Sequence, residues 1–495
     1  YLYLNMTKPG EKLILSYSDT NAKGEGISPA YLIGSIRSLY SKLEIEGGAG
    51  VRPHKNSINN YCYPENPEAG IDLFLEKLVQ ETEKEHEDIL EQADETDAMF
   101  GELYSWYLRN PEYRSRVQKL VQSAFAGKPK DIISQSVAKA LYGEVSPYSA
   151  TRLERFAACA FAHFLQYGMK LTERVEYEFK PMDMGNVMHE ALESFAEEVR
   201  KRGMKWKELT EQERNEIADR CLDNIVADYG NTVLKSSARN EYMIERTRRI
   251  LRRTVWALQK QLEQGEFQPE GFEVTFGGGR IDRVDIMEDQ NKVYVKVIDY
   301  KTGNTSFDLV YLYHGLQLQL MIYLDGALRV EQKKYPDKEI IPAGVFYYNI
   351  KDPMIQEKID ADVEAVSAGL MKELKMNGLV QADPELVYRM DSSLGSIPVA
   401  FNKDGSFRKN SSVADRTQFA VLGRYVRTKI EKIRSSILEG DAEVSPYELG
   451  KKNACTYCPY MTVCGFDRRL SGYEFRRLKN FSDEELWKAF DREAE

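Results

Sequence analysis

A chain of 495 residues that is 42% hydrophobic and 29% charged carries enough apolar material to bury sizeable cores, and at ordinary domain size suggests about three units. Lysine and arginine number 68 against 78 acids, a net charge of −10, which excludes one broad basic face but leaves local patches free to bind an anion. Disordered, collagen-like and fibrous classes are excluded, and no stretch approaches the roughly 18 uncharged apolar residues of a membrane span, so a soluble, cytoplasmic protein is expected.

The chain opens on Tyr1 and not on Met, and is expected to be part of something longer. Tyr1 to Tyr17 reads as two short strands around Thr7-Lys8-Pro9-Gly10, the second over residues 12–17. Residues 28–44 read as a helix capped by Ser28 with Pro29 at its first position. Residues 82–97 lay many acids over a helical pattern, the mark of a solvated face. More helix follows from 98 to 142, and Gly143-Glu144-Val145-Ser146-Pro147 predicts a boundary, dividing the chain into 1–145 and 146–495. Ser149 is a good cap for a helix running through Leu165. Another helix is expected near Gly185, carrying His189, followed by a long helical region over 207–264.

The periodicity then changes. Residues 271–276, 279–287 and 292–299 read as strands with turns at 277–279 and 289–291, an antiparallel meander. A helix at 312–329 and a strand at 341–349 complete the order helix, three strands, helix, strand. The last 140 or so residues read as helices and loops. The fold class is mixed α/β.

Chemistry concentrates on the meander. Asp282 lies among apolar neighbours on the middle strand, and the next strand ends in Asp299-Tyr300-Lys301. Burying a carboxylate in a sheet is expensive unless a cation or donor compensates it. Two such acids on neighbouring strands point to a hard cation such as Mg2+. Asp299 and Lys301, two apart on an extended chain, share a face. A lysine there can position a water nucleophile or steady charge developing on a phosphorus centre. The competing reading is an ion pair at a strand end. Gly185-x3-His189 opens a helix and offers an imidazole, and Gln319-x3-Tyr323 sets an amide and a phenol on one helical face.

In that order, Gly185-x3-His189, Gly279-x2-Asp282, Asp299-Tyr300-Lys301 and Gln319-x3-Tyr323 resemble the RecB-type branch of the PD-(D/E)xK nucleases over roughly residues 149–350. The resemblance implies a core of helix, three antiparallel strands, helix and strand. It implies Mg2+ held by His189, Asp282, Asp299 and the Tyr300 carbonyl. Lys301 would assist the attacking water, and Gln319 and Tyr323 would support substrate binding. About 70 residues between the His189 helix and the first strand exceed the minimal core.

Six cysteines are too few for a disulfide scaffold. Cys455, Cys458 and Cys464 form C-x2-C-x5-C, and Cys159 lies far upstream beside a motif. Four thiolates can hold zinc or an iron–sulfur cluster, and spacing alone does not choose. Cys62 and Cys221 read as small buried hydrophobes. A lone upstream cysteine with C-x2-C-x5-C flanking the nuclease motifs resembles the iron–sulfur staple of AddB-type nuclease subunits, which implies a 4Fe–4S cluster on Cys159, Cys455, Cys458 and Cys464. Such a staple closes a ring between residues 159 and 455.

The opening segment resembles the last motif of superfamily 1 helicases, with Lys8 where the motif has arginine. An ammonium serves phosphate less well than a planar fork. The resemblance therefore implies part of a helicase-like, largely helical domain whose motor is inactive, used for scanning DNA, without a full ATP-binding site in this chain. It also implies an exonuclease that degrades one strand threaded from a duplex end during double-strand-break processing for recombination and repair, with an AddA-type helicase/nuclease subunit as partner. The runner-up reading is an inactive scanning or scaffold subunit with a structural metal cluster. Arg246, Arg249 and Arg253, on one side of a predicted helix, are the candidates for DNA-backbone contact. Arg468-Arg469 and Arg476-Arg477 are a second set.

Overall fold

The computed structural model describes residues 6–18, 28–40, 43, 66–83, 95–125, 132–143, 149–174, 181–229, 237–277, 279–355, 362–470 and 472–494. They fall into two compact units, Tyr1–Ala126 and Gly127–Glu495. No helix among the described residues is long and apolar enough to cross a membrane.

The first unit has helices Tyr31–Leu39, Pro67–Glu83, Glu95–Arg109 and Pro111–Ala124. The last three enclose a small core of Ile71, Phe74, Leu78, Tyr107 and Val117. Asn110 ends one helix and caps the next, its Oδ1 accepting from the Glu112 N–H at 3.1 Å ahead of Pro111 in the first turn. Residues 12–17 form no strand, a correction to the sequence reading. They pair with nothing described, and Leu13, Ile14 and Leu15 are exposed. An apolar run becomes a strand only when a neighbour satisfies its backbone donors and acceptors. The helix expected over 28–44 is shorter, with Ala30 and not Ser28 in the cap position. Residues 1–5, residues 84–94 of the acidic segment, and Cys62 lie outside the described residues.

The division between the units precedes the expected 143–147, because the helix Gln135–Tyr142 packs with the second unit. Its Ala138 and Tyr142 share a core with Leu153, Tyr425 and Ile437.

The second unit is built on a six-stranded sheet in the order β1 (Gln268–Phe276), β2 (Gly279–Asp289), β3 (Lys292–Lys301), β4 (Glu339–Asn349), β5 (Asn377–Gln381) and β6 (Val413–Ala414). β1, β2 and β3 are antiparallel, β4 returns parallel to β3, β5 is antiparallel to β4, and β6 is parallel to β5. The expected core is therefore present, and the sheet extends two strands beyond it. Gly279 opens β2 at φ +149°, a conformation side chains disfavour.

Alternation along β3 assigns the two faces. Val293, Val295 and Val297 enter the core that also contains residues of the helices Ala150–Ala158, Gln319–Lys334, Arg416–Glu439 and Asp483–Ala494. Tyr294, Ile298 and Tyr300 enter the other, with residues of Pro181–Lys201, Glu211–Asp228 and Ala238–Glu263. The last two of these helices form the long insert and pack on each other and on the Pro181–Lys201 helix.

Two expected helices are broken. The one predicted from Ser149 through Leu165 stops at Ala158, with Cys159 extended at φ −165°, and resumes at Ala160. The one predicted over 312–329 is two, Leu309–Tyr313 and Gln319–Lys334, separated by a turn with Gly315 at φ +78°. The second break leaves Gln319 in a first helical turn instead of mid-helix.

Candidate active site

β2 presents acids on both faces of the sheet. Asp285 is fully buried and is neutralised locally: Arg283 donates to it from Nε at 2.5 Å and Nη2 at 2.9 Å, and Lys296 Nζ lies 3.0 Å away. A buried charge held by two cations is a structural ion cluster. Asp282, three positions earlier and so on the other face, has a different environment. Its Oδ2 accepts from the Tyr300 N–H at 2.7 Å and stands 3.4 Å from His189 Nδ1.

His189 reaches this point from the Pro181–Lys201 helix, whose neighbouring Val187, Met188, Ala191 and Leu192 are buried in the core. The same Nδ1 lies 3.7 Å from Glu273 Oε1. Glu273 is not among the sequence candidates. Phe272 pairs with Arg283 and Val274 with Ile281, so Glu273 and Asp282 stand between those pairs on facing strands. Its only signal along the chain is an acid in an apolar strand segment. Ligand atoms of His189, Glu273 and Asp282 all lie within 4.8 Å of one another, the one such group among the described residues. Burial disfavours the imidazolium, but hydrogen bonds and charge from Asp282 and Glu273 outweigh it and raise the His189 pKa to about 10.

Asp299 is almost fully buried. Burial first, then the charge of Asp282, raises its pKa to about 7 against the opposing effects of Lys301 and His189. Lys301 Nζ lies 2.7 Å from Asp299 Oδ2 and donates to Gln319 Oε1 at 2.7 Å. Gln319 Nε2 in turn donates to the Tyr323 hydroxyl at 2.9 Å. His189, Asp282, Asp299, Lys301, Gln319 and Tyr323 thus form one neighbourhood. His189, Glu273 and Asp282 offer an imidazole with two carboxylates, a set that suits a hard divalent cation, whereas the expected ligand Asp299 lies outside the group whose ligand atoms are all within 4.8 Å of one another.

Cys159 is buried against Tyr460, with Cys458 and Ala454 packed on the same cluster. Burial, and then Cys159, Cys458 and Cys464, push the Cys455 thiol up to about 11, so the four thiols are neighbours. No three of these sulfurs fall within 4.8 Å of one another among the described residues. Four soft thiolate donors suit either zinc or an iron–sulfur cluster. Cys221 is a buried member of the apolar core, as expected.

Arg246, Arg249 and Arg253 lie on the Ala238–Glu263 helix, away from this network in sequence and without a bond to it. Arg249 pairs with Asp352 at 2.6 Å, and the Arg253 guanidinium lies 5.2 Å from the Trp256 ring centre. Arg248 and Arg252 are tied to Asp219, and Arg248 also to Asp223. In the second set, Arg476 donates to the Ala157 carbonyl and Arg469 pairs with Asp467 at 2.7 Å.

The family described as the PD-(D/E)XK nuclease superfamily matches residues 147–465. A Lachnoclostridium phytofermentans protein, named as an ATP-dependent helicase/deoxyribonuclease subunit of the B type, is 39% identical over 519 residues, covering 100% of this chain and 43% of its own length. Proteins of the same name from Alkaliphilus metalliredigens and Thermoanaerobacter sp. are 32% and 30% identical, each over 100% of this chain and 44% of their own length. The chain therefore spans less than half the length of these relatives. With the expected strand order and a family match over most of its length, the chain belongs to the PD-(D/E)XK nuclease superfamily.

Proposed function

We propose that this chain supplies the nuclease of an AddB-type helicase/nuclease subunit, a Mg2+-dependent exonuclease that degrades a DNA strand during double-strand-break processing in the cytoplasm. The observation that carries the reading is the convergence of His189, Asp282, Asp299 and Lys301 from a helix and two strands. His189, Asp282, Asp299 and the Tyr300 carbonyl would hold the Mg2+, with Glu273 as an added ligand. The ion supplies positive charge against the scissile phosphate. Lys301 directs the attacking water and steadies developing charge, Asp299 anchors Lys301, and Gln319 and Tyr323 meet the substrate strand.

Cys159, Cys455, Cys458 and Cys464 would hold a 4Fe–4S cluster, a reading supported by their proximity to one another. Arg246, Arg249 and Arg253 are the proposed backbone contacts. Residues 1–145 are read as part of an inactive, helicase-like scanning domain, and the partner as an AddA-type subunit; similarity to the helicase/deoxyribonuclease subunits over the whole of this chain supports both.

The test is end-labelled single-stranded DNA incubated with Mg2+ and either the parent or Asp299→Ala. Cutting by the parent and its loss in the variant are expected; equal cutting removes the assigned site. Iron and acid-labile sulfide are expected in anaerobically purified protein, and stoichiometric zinc without iron reverses the cluster assignment.

A further inference from the structure

Glu154 belongs to none of the motifs, yet it sits at the root of the active-site network. It lies midway along the Ala150–Ala158 helix and points at the start of the helix Gln319–Lys334. Its Oε1 accepts the N–H of Leu318 at 2.7 Å and of Gln319 at 2.9 Å. The first amides of a helix have no partner within it, and Leu318, in the cap position, offers no side-chain acceptor. The cap therefore comes from a residue 164 positions away in the chain, and it determines where Gln319 begins.

From Gln319 runs a series of direct contacts. Its amide oxygen accepts from Lys301 at 2.7 Å, its amide nitrogen donates to Tyr323 at 2.9 Å, and Lys301 lies 2.7 Å from Asp299. A helix free to slide or fray at its first turn would carry the Gln319 amide with it and release the lysine.

We infer that Glu154 is a positioning residue for the hydrolysis proposed above. By tethering the first turn of the Gln319 helix it sets the Gln319 amide, and through that amide the direction of Lys301 toward Asp299. The inference rests on the nuclease reading. A purely structural cap would lower stability and leave turnover by the folded protein unchanged.

The experiment uses the complete protein, with Mg2+ and single-stranded DNA as probe, and first compares parent with Asp299→Ala. A parent that does not cut, or an Asp299→Ala protein that cuts equally, defeats the nuclease reading itself and is recognisable before Glu154 is touched. With that established, Glu154→Ala is expected to lower kcat on the order of 10²-fold, with any rise in KM through the displaced Gln319 smaller than the fall in kcat, since a misplacement of about 1 Å has that effect. Glu154→Gln, whose amide oxygen can accept the same two N–H bonds, is expected to stay within about threefold of the parent. Glu154→Asp, one methylene shorter, is expected to fold and to lose kcat to an intermediate degree, and it decides the matter if Glu154→Ala does not fold. A folded Glu154→Ala or Glu154→Asp protein with parental kcat overturns the inference. So does a loss confined to KM or one that glutamine fails to rescue.

Discussion

Glu273 and Asp282 aim two negative charges from facing strands at one imidazole, and in the absence of metal the balancing positive charge is a proton on His189. In the metal-bound state proposed above, a divalent ion beside these groups would take over that balance. Removing one carboxylate weakens the hold, so Glu273→Ala is expected to raise the Mg2+ concentration for half-maximal cutting by about 10-fold or more, read from a metal titration of the initial rate. Unchanged metal dependence would exclude Glu273 from the site. Glu154 gives a stability prediction of its own. Burial lifts its carboxyl to about 7 from an ordinary 4.5. Because the folded-state value is the higher one, its contribution to stability is complete below about pH 4.5 and is lost as pH rises through about 7. Glu154→Gln cannot ionise, so its melting temperature relative to the parent should climb between about pH 5 and pH 8; a pH-independent difference would contradict the assigned shift. His189, Asp282, Asp299, Lys301, Gln319 and Tyr323 could be found in the sequence because their spacing within each element is local. Glu273 depends on the β1–β2 register, and Glu154 on a contact between distant helices, neither of which leaves a pattern along the chain.

At the level of elements, the breaks matter more than the lengths. Periodicity predicts one helix over 312–329, whereas the turn at Gly315 exposes the amides that Glu154 binds. The other break leaves Cys159 extended at the end of the helix that carries Glu154, where it packs against Tyr460. One short helix thus touches both the acidic site and the thiols. The Gln319–Lys334 helix lies close on β1 because Gly326 has no side chain: a Cβ there would sit 2.6 Å from Phe276 Cδ2. Gly326→Ala is therefore expected to destabilise the fold by about 1–3 kcal/mol through overpacking, measured by denaturant unfolding. An alanine variant of parental stability would mean that Phe276 yields freely.

On the scale of the whole molecule, the residues at 159 and 455 enclose nearly the entire nuclease unit. If a cluster joins them, closing so long a loop favours the folded state by about 5 to 6 kcal/mol in the chain-entropy description used for disulfides, comparable to the stability of a domain. Cys455→Ala is accordingly expected to cost the nuclease unit its fold, seen as lost cooperative unfolding; a folded, iron-free variant that cuts DNA at the parental rate would refute the staple. The sequence alone determined the order of helix, meander, helix and strand and pointed to six residues that the fold brings into one neighbourhood, because alternation, helical spacing and short motifs are properties of neighbouring residues. It misread residues 12–17 and ran two helices through their breaks, because an unpaired strand and a helix end are settled by partners that the local pattern does not contain. Only the tertiary structure separated Asp282 from Asp285, leaving the first facing an imidazole and the second neutralised by Arg283 and Lys296. The reason is physical: a carboxylate's role is decided by the charges and donors within a few ångströms of it, and those come from segments far apart in the chain.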